Sequence, residues 1–237
     1  ERIEFPRPES EPVNQPSLFW TLSSDRPGKI PASLSYLSEG LSWRAEYSAE
    51  INADETAIDL SALASIENRS GERLENVRLR LLAGEINRAP SVQPLAKLGR
   101  GAAPREAMAQ DYAESFAERG IFEYHIYDLQ GMTTLDDSAV KQIALFAPRT
   151  IPVQRQYHFN PNRYRNDVMT ILKFTNSQKS GETAPLPAGR ARIYKQDRIS
   201  PALIGEDTID HVPAGGEARL AVGRAFELSG ERRVMAT

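Results

Sequence analysis

The chain has 237 residues, 40% hydrophobic and 26% charged, which suffices for one large domain or two small ones with a buried core. Lys and Arg number 29 against 32 Asp and Glu, and a net charge of -3 supplies no field for gathering phosphate backbones, so no nucleic-acid partner is expected. The lack of cysteine removes disulfides, thiol nucleophiles, zinc–thiolate sites and iron–sulfur clusters, and no apolar run approaches the roughly 20 residues of a membrane-spanning helix.

In chain order, residues 1–32 read as a linker from a missing upstream region, because Pro6, Pro8, Pro12 and Pro16 among Glu, Arg and Ser forbid a helix. A first β region follows over 33–89. Trp43, Ala45, Tyr47, Ala49 and Ile51 alternate with polar residues, and Ile58, Leu60, Ala62, Ala64 and Ile66 repeat the two-residue period. Val77, Leu79 and Leu81 alternate with Arg78 and Arg80, and Asn68-Arg69-Ser70-Gly71 supplies the tight turn of an antiparallel pair with the preceding strand.

Residues 90–120 break this rhythm. They are expected to form one long loop, partly helical or disordered, with Met108, Tyr112 and Phe116 at helical spacing between Pro104 and Gly120. The competing expectation is an amphipathic helix that docks a partner. A second β region spans 121–237, with strands near 122–126, 142–146, 153–159, 190–194, 202–209 and 217–226, and a central strand at 168–174 that is apolar on both faces.

The pattern predicts an all-β protein, an antiparallel β-sandwich built as one sandwich or as two sandwich units. An echo between Ile66-Glu67-Asn68 with Ser70-Gly71 and Phe174-Thr175-Asn176 with Ser180-Gly181 leaves duplication open. The predicted core comprises Trp43, Tyr47, Ile58, Leu60, Ile66, Leu79, Leu81, Ile171, Ile193 and Leu220.

Chemistry-bearing residues are sparse. The histidines His125, His158 and His211 lack the one-turn helical spacing of a zinc-protease pair, and neither a Gly-x-Ser-x-Gly elbow nor a phosphate loop occurs. The densest cluster is Glu206, Asp207, Asp210 and His211. Strand alternation places Glu206, Thr208 and Asp210 on one face and Asp207 and His211 on the other, so the cluster is expected to be a strand end whose carboxylates bond turn amides. No catalytic, metal or cofactor residues are assigned. Trp43, Tyr47, Phe122, Tyr124, Tyr157 and Phe159 would make a sugar-stacking platform if exposed, but alternation directs most of them to the core.

Several strings resemble the mucoidy inhibitor A-like family of bacterial proteins, a domain of unknown function numbered forty-one thirty-nine. They include Leu34-Ser35-Tyr36-Leu37, Gly40-Leu41-Ser42-Trp43 and Leu82-Ala83-Gly84-Glu85. The longest runs from Pro185-Leu186-Pro187-Ala188-Gly189 through Arg190-Ala191-Arg192-Ile193-Tyr194 to Lys195-Gln196-Asp197, and Ile204 to His211 and Gly223-Arg224-Ala225-Phe226 complete the order. The resemblance covers about 34–226, outside 90–120, and carries no established reaction. It implies a periplasmic or secreted setting and a non-catalytic structural or interaction module of the cell envelope, with a protein or polysaccharide partner. The alternative is a carbohydrate-binding or carbohydrate-active domain.

Overall fold

The computed structural model describes residues 31–84, 116–121, 124–177, 183–198 and 200–233, together with 23, 28, 29, 105, 106 and 235. The chain divides into a unit at Glu1–Leu37 and a unit at Ser38–Thr237. In the first, residues 31–37 carry neither helix nor strand and are exposed, and the linker expected over 1–32 lies almost wholly outside the described residues.

The second unit is built of strands. Its large sheet takes β1 (Leu41–Ile51), β2 (Ala57–Asn68), the two-residue β5 (Arg105–Glu106), β9 (Ala139–Phe159), β10 (Asp167–Thr175), β11 (Gly189–Lys195), β12 (Ala202–Ile209) and β13 (Glu217–Ser229). The order is β12-β11-β1-β2-β9-β10-β13, with β5 beside β9. Two small sheets pair β3 (Leu74–Val77) with β8 (Thr133–Leu135), and β4 (Arg80–Ala83) with β7 (Tyr124–Leu129) and β6 (Phe116–Ile121). The described helix, α1 (Pro161–Tyr164), is a single turn capped by the Asn160 side chain, which accepts from the Asn162 amide.

The all-β expectation holds, but the architecture is one mixed sheet curled almost into a barrel. Its β1–β11 and β5–β9 pairs are parallel. The strands of the two β regions expected from sequence lie side by side in that sheet, since β1 sits between β11 and β2, and β2 pairs with β9. Separate sandwich units at 33–89 and 121–237 are therefore not formed.

The inner face carries the core. Tyr47 stands among Ala45, Ala49, Ala62, Ala64 and Ala191, all buried, so one large ring occupies the space that small side chains on its neighbours leave open. Ile58, Leu60, Ile66, Leu81, Ile193 and Leu220 are buried as expected, and Trp43 and Leu79 pack half-buried against them. Ile171 is half-buried and its neighbour Leu172 takes the core position, with a register shift between Thr170 and Ile171 in the ladder to β13.

Three local expectations are corrected. The turn at Asn68–Gly71 does not return the chain along β2, whose two edges are already taken by β1 and β9. The Asn68 carboxamide instead donates to the Glu72 and Leu135 carbonyls and steers the chain into the small sheets, where β3 pairs β8 and β4 pairs β7. The break expected between 146 and 153 is absorbed within the single strand β9. Ala147 and Pro148 bulge out between the Leu60–Arg149 and Ala62–Phe146 pairs, where a residue without an N–H costs no ladder bond. Most of 90–120 lies outside the described residues, and the expected helix is absent from its described parts: 105–106 and 116–120 are strand, because β5 and β6 find ladder partners in β9 and β7.

The two ends of the sheet meet at a seam. Strands β12 and β13 approach without a ladder, and Gly205 lies so close that a Cβ there would stand 2.2 Å from the Val222 carbonyl oxygen. Gly189 plays the same part between β11 and β1, where a Cβ would fall 2.2 Å from the Ala45 carbonyl oxygen.

Candidate functional site

The corner at 206–211 closes this seam. In the ladder to β11, Glu206 pairs Arg192, Asp207 pairs Ala191 and Thr208 pairs Arg190. Glu206 therefore stands on the outer face, 3.4 Å from Arg192 and 3.9 Å from Arg190. Arg192 also reaches Glu46 at 3.3 Å, and Arg44 holds Glu46 at 2.6 Å. Glu46 is buried, and the paired cations are what make an outward carboxylate tolerable there.

Asp207 faces the other way. Its Oδ2 accepts from the Ala221 amide of β13 at 2.6 Å, so a carboxylate takes the bond that a carbonyl of β12 would take in a closed barrel. The acceptor thus serves a strand amide rather than a turn amide. Asp210 is exposed, and His211 lies beyond the strand with its Nδ1 accepting from the Ala188 amide at 3.1 Å. Four neighbours in sequence are spread over an outer ladder, a seam, solvent and a loop. Among the described residues no group of three or more His, Asp or Glu is placed to hold a metal ion.

Behind the corner lies a cleft of about 230 Å³. Its walls are the end of β4 at Ala83 and Gly84, β7 at His125 and Tyr127, the Pro185–Leu186–Pro187 segment, and His211–Val212–Pro213. Two of the three histidines thus line one cleft, while His158 is exposed on β9. His125 Nδ1 lies 2.8 Å from the Glu118 carboxylate of β6.

The cleft is braced from inside the barrel. Leu186 and Val212 exchange backbone bonds of 2.8 and 2.9 Å. Tyr47 donates to the Pro187 carbonyl at 2.6 Å and Tyr127 to that of Pro185 at 3.0 Å. Burial pushes both phenols well above their ordinary range, an effect the nearby Arg149 partly opposes. Asn176, fully buried at the end of β10, donates to the carbonyls of Ala184 and Pro213 at 3.1 Å and of Val212 at 3.4 Å, and accepts from Arg149 Nη2 at 2.8 Å.

Arg149 projects from the β9 bulge, stacks 4.5 Å from the Phe146 ring centre, and keeps Nε and Nη1 buried without a partner. Sequence reasoning passed over Arg149, Glu118 and the use made of Asn176. The one signal was the echo of Asn68 and Asn176, which both prove to be buried carboxamides at strand ends bonding carbonyls of the following loops.

Among the described residues the candidate aromatics do not assemble into an exposed platform. Tyr47 is buried, and Trp43 donates from Nε1 to the Leu82 carbonyl at 3.1 Å with its ring tilted against Tyr127, 6.2 Å between centroids. Tyr157 faces solvent on β9, and Phe122 lies outside the described residues. Among the described residues no helix is long and apolar enough to cross a membrane. Comparison of the chain with protein-family models, curated proteins and solved structures returns no match.

Proposed function

We propose that the chain is a non-catalytic interaction module of the bacterial cell envelope that binds a protein partner. The observation that carries the reading is the placement of apolar side chains in solvent on both strands of the seam. Leu203 and Ile204 of β12 and Phe226 and Leu228 of β13 are all exposed, Phe226 completely. Strand edges that lack a ladder partner and display large apolar groups are the surfaces through which sheets recruit other chains. The acid and base groups of the corner support the same reading, since Asp207 and His211 each accept from a backbone amide and Glu206 lies in an exposed ion pair with Arg192. The envelope setting rests on the family resemblance of the sequence.

The test is cross-linking capture from envelope extract with the unmodified chain and with Phe226→Ser. A defined partner captured by the first and lost with the second is the expected result. Equal capture by both, or turnover of an envelope polysaccharide by the purified chain, would overturn the reading.

A further inference from the structure

We infer that the cleft between His125 and His211 is a recognition site for a secondary amide, as an extended peptide presents it. The inference rests on the two ring tautomers. An ionised carboxylate can only accept, so the contact between Glu118 and His125 requires a proton on His125 Nδ1 and leaves Nε2 of the neutral ring bare, an acceptor. A backbone N–H can only donate, so the bond from Ala188 requires a bare Nδ1 on His211 and places the proton of that neutral ring on Nε2, a donor.

The two imidazoles are thereby held in opposite tautomers by partners on different elements, β6 for one and the loop before β11 for the other. Both residues line one cleft, and each ring keeps one outer nitrogen uncommitted by these bonds, an acceptor on His125 and a donor on His211. A secondary amide is the complementary group, its N–H going to His125 and its carbonyl receiving from His211.

The surroundings select the source of that amide. Pro185, Pro187, Val212 and Pro213 form an apolar wall, and a cleft of about 230 Å³ admits an amide with small flanking groups. A pyranose ring calls for an exposed aromatic face, and among the described lining residues the aromatic side chain is Tyr127, 1% exposed with its hydroxyl bound to Pro185. The wall is also rigid. Tyr47, Tyr127, Asn176 and the Leu186–Val212 bridge all hold it, so little ordering cost falls on binding. This inference goes beyond the interaction reading, since it concerns the cleft behind the corner rather than the exposed apolar side chains of β12 and β13.

Nitrogen-15 histidine spectra of the 237-residue chain test it directly. The expected result is a protonated Nδ1 with a bare Nε2 for His125 and the reverse for His211. Titration with an uncharged acetylated alanine dipeptide methylamide should then shift both rings and leave His158 unmoved.

Two substitutions remove only the outer nitrogen. His125→Asn keeps an N–H near the Nδ1 position for Glu118, and His211→Asn keeps an acceptor there for Ala188. Each should weaken the dipeptide roughly tenfold, the worth of one hydrogen bond, with the melting temperature retained. Identical tautomers in the two rings, or no shift of either on titration, would overturn the inference. Saturation by N-acetylglucosamine or acetate in preference to the dipeptide would overturn its assignment to a peptide. Should the dipeptide fail while capture dependent on Phe226 persists, the cleft assignment falls and the interaction reading stands.

Discussion

Asp207→Ala removes a side chain that bonds across the seam, and its cost can be worked from the geometry. The bond to the Ala221 amide is short, 2.6 Å, has an ionised acceptor, and lies half-buried on a strand edge with no ladder of its own. A charge-assisted bond of this kind is worth about 2 kcal/mol. A unit of this size loses roughly 2 to 4 °C of melting temperature per kcal/mol, so Asp207→Ala should melt about 4 to 8 °C lower in circular dichroism.

Asp207→Asn keeps a neutral acceptor and should lose about half as much. Asp210→Ala, at an exposed carboxylate bonded to no other described residue, should stay within about 0.5 kcal/mol of the unmodified chain. Hydrogen exchange supplies a local readout, because the Ala221 amide should lose protection in Asp207→Ala beyond the global change. Equal effects of Asp207→Ala and Asp210→Ala would refute the seam argument, and so would a calcium-dependent rise in melting temperature abolished by Asp207→Ala.

Asn176→Ala should be among the most damaging single changes, on the order of 3 to 5 kcal/mol, since it strands the Ala184 and Pro213 carbonyls and the bonded nitrogen of Arg149 in the interior. Arg149→Met, which removes a cation with two unpartnered buried nitrogens, should cost markedly less in denaturant titration, and the reverse order would sink the account. Because the folded state holds Tyr47 and Tyr127 as neutral phenols, their contribution to stability is intact below about pH 10 and is lost as pH climbs from there toward the raised folded values. Ultraviolet titration should accordingly show two tyrosines that ionise only as the chain unfolds. Glu55 behaves oppositely: Lys195, by hydrogen bond and charge, and Arg155 hold its carboxyl below the ordinary range. Its contribution is present above the unfolded value of about 4.3 and is lost as pH falls through the lower folded value, so the stability gap between the unmodified chain and Glu55→Gln should close on acidification.

Strand content was legible in the residues alone because alternation is a property of one strand between two environments. Ala45 to Ile51 and Ile58 to Ile66 announce a buried face whatever lies beside them. Even the division of the corner could be read, with Glu206 and Asp207 on opposite faces.

Partner choice could not be read, because strands with the same period are interchangeable in pattern. Only the assembled sheet places β1 parallel to β11 and sets β2 against β9 rather than against the strand that follows it. Pro148 argues locally for a strand end, yet the inner-face packing on both sides of it, at Ile143, Leu145 and Ile151, outweighs one missing donor and turns the break into a bulge.

The cleft depends on tertiary structure most of all. His125 and His211 have no informative spacing in the chain, and the face each ring offers is set by a carboxylate on one strand and a backbone amide in a distant loop. Sequence decides which groups can donate or accept. The fold decides which of them are already occupied, and so which nitrogen is left for a ligand.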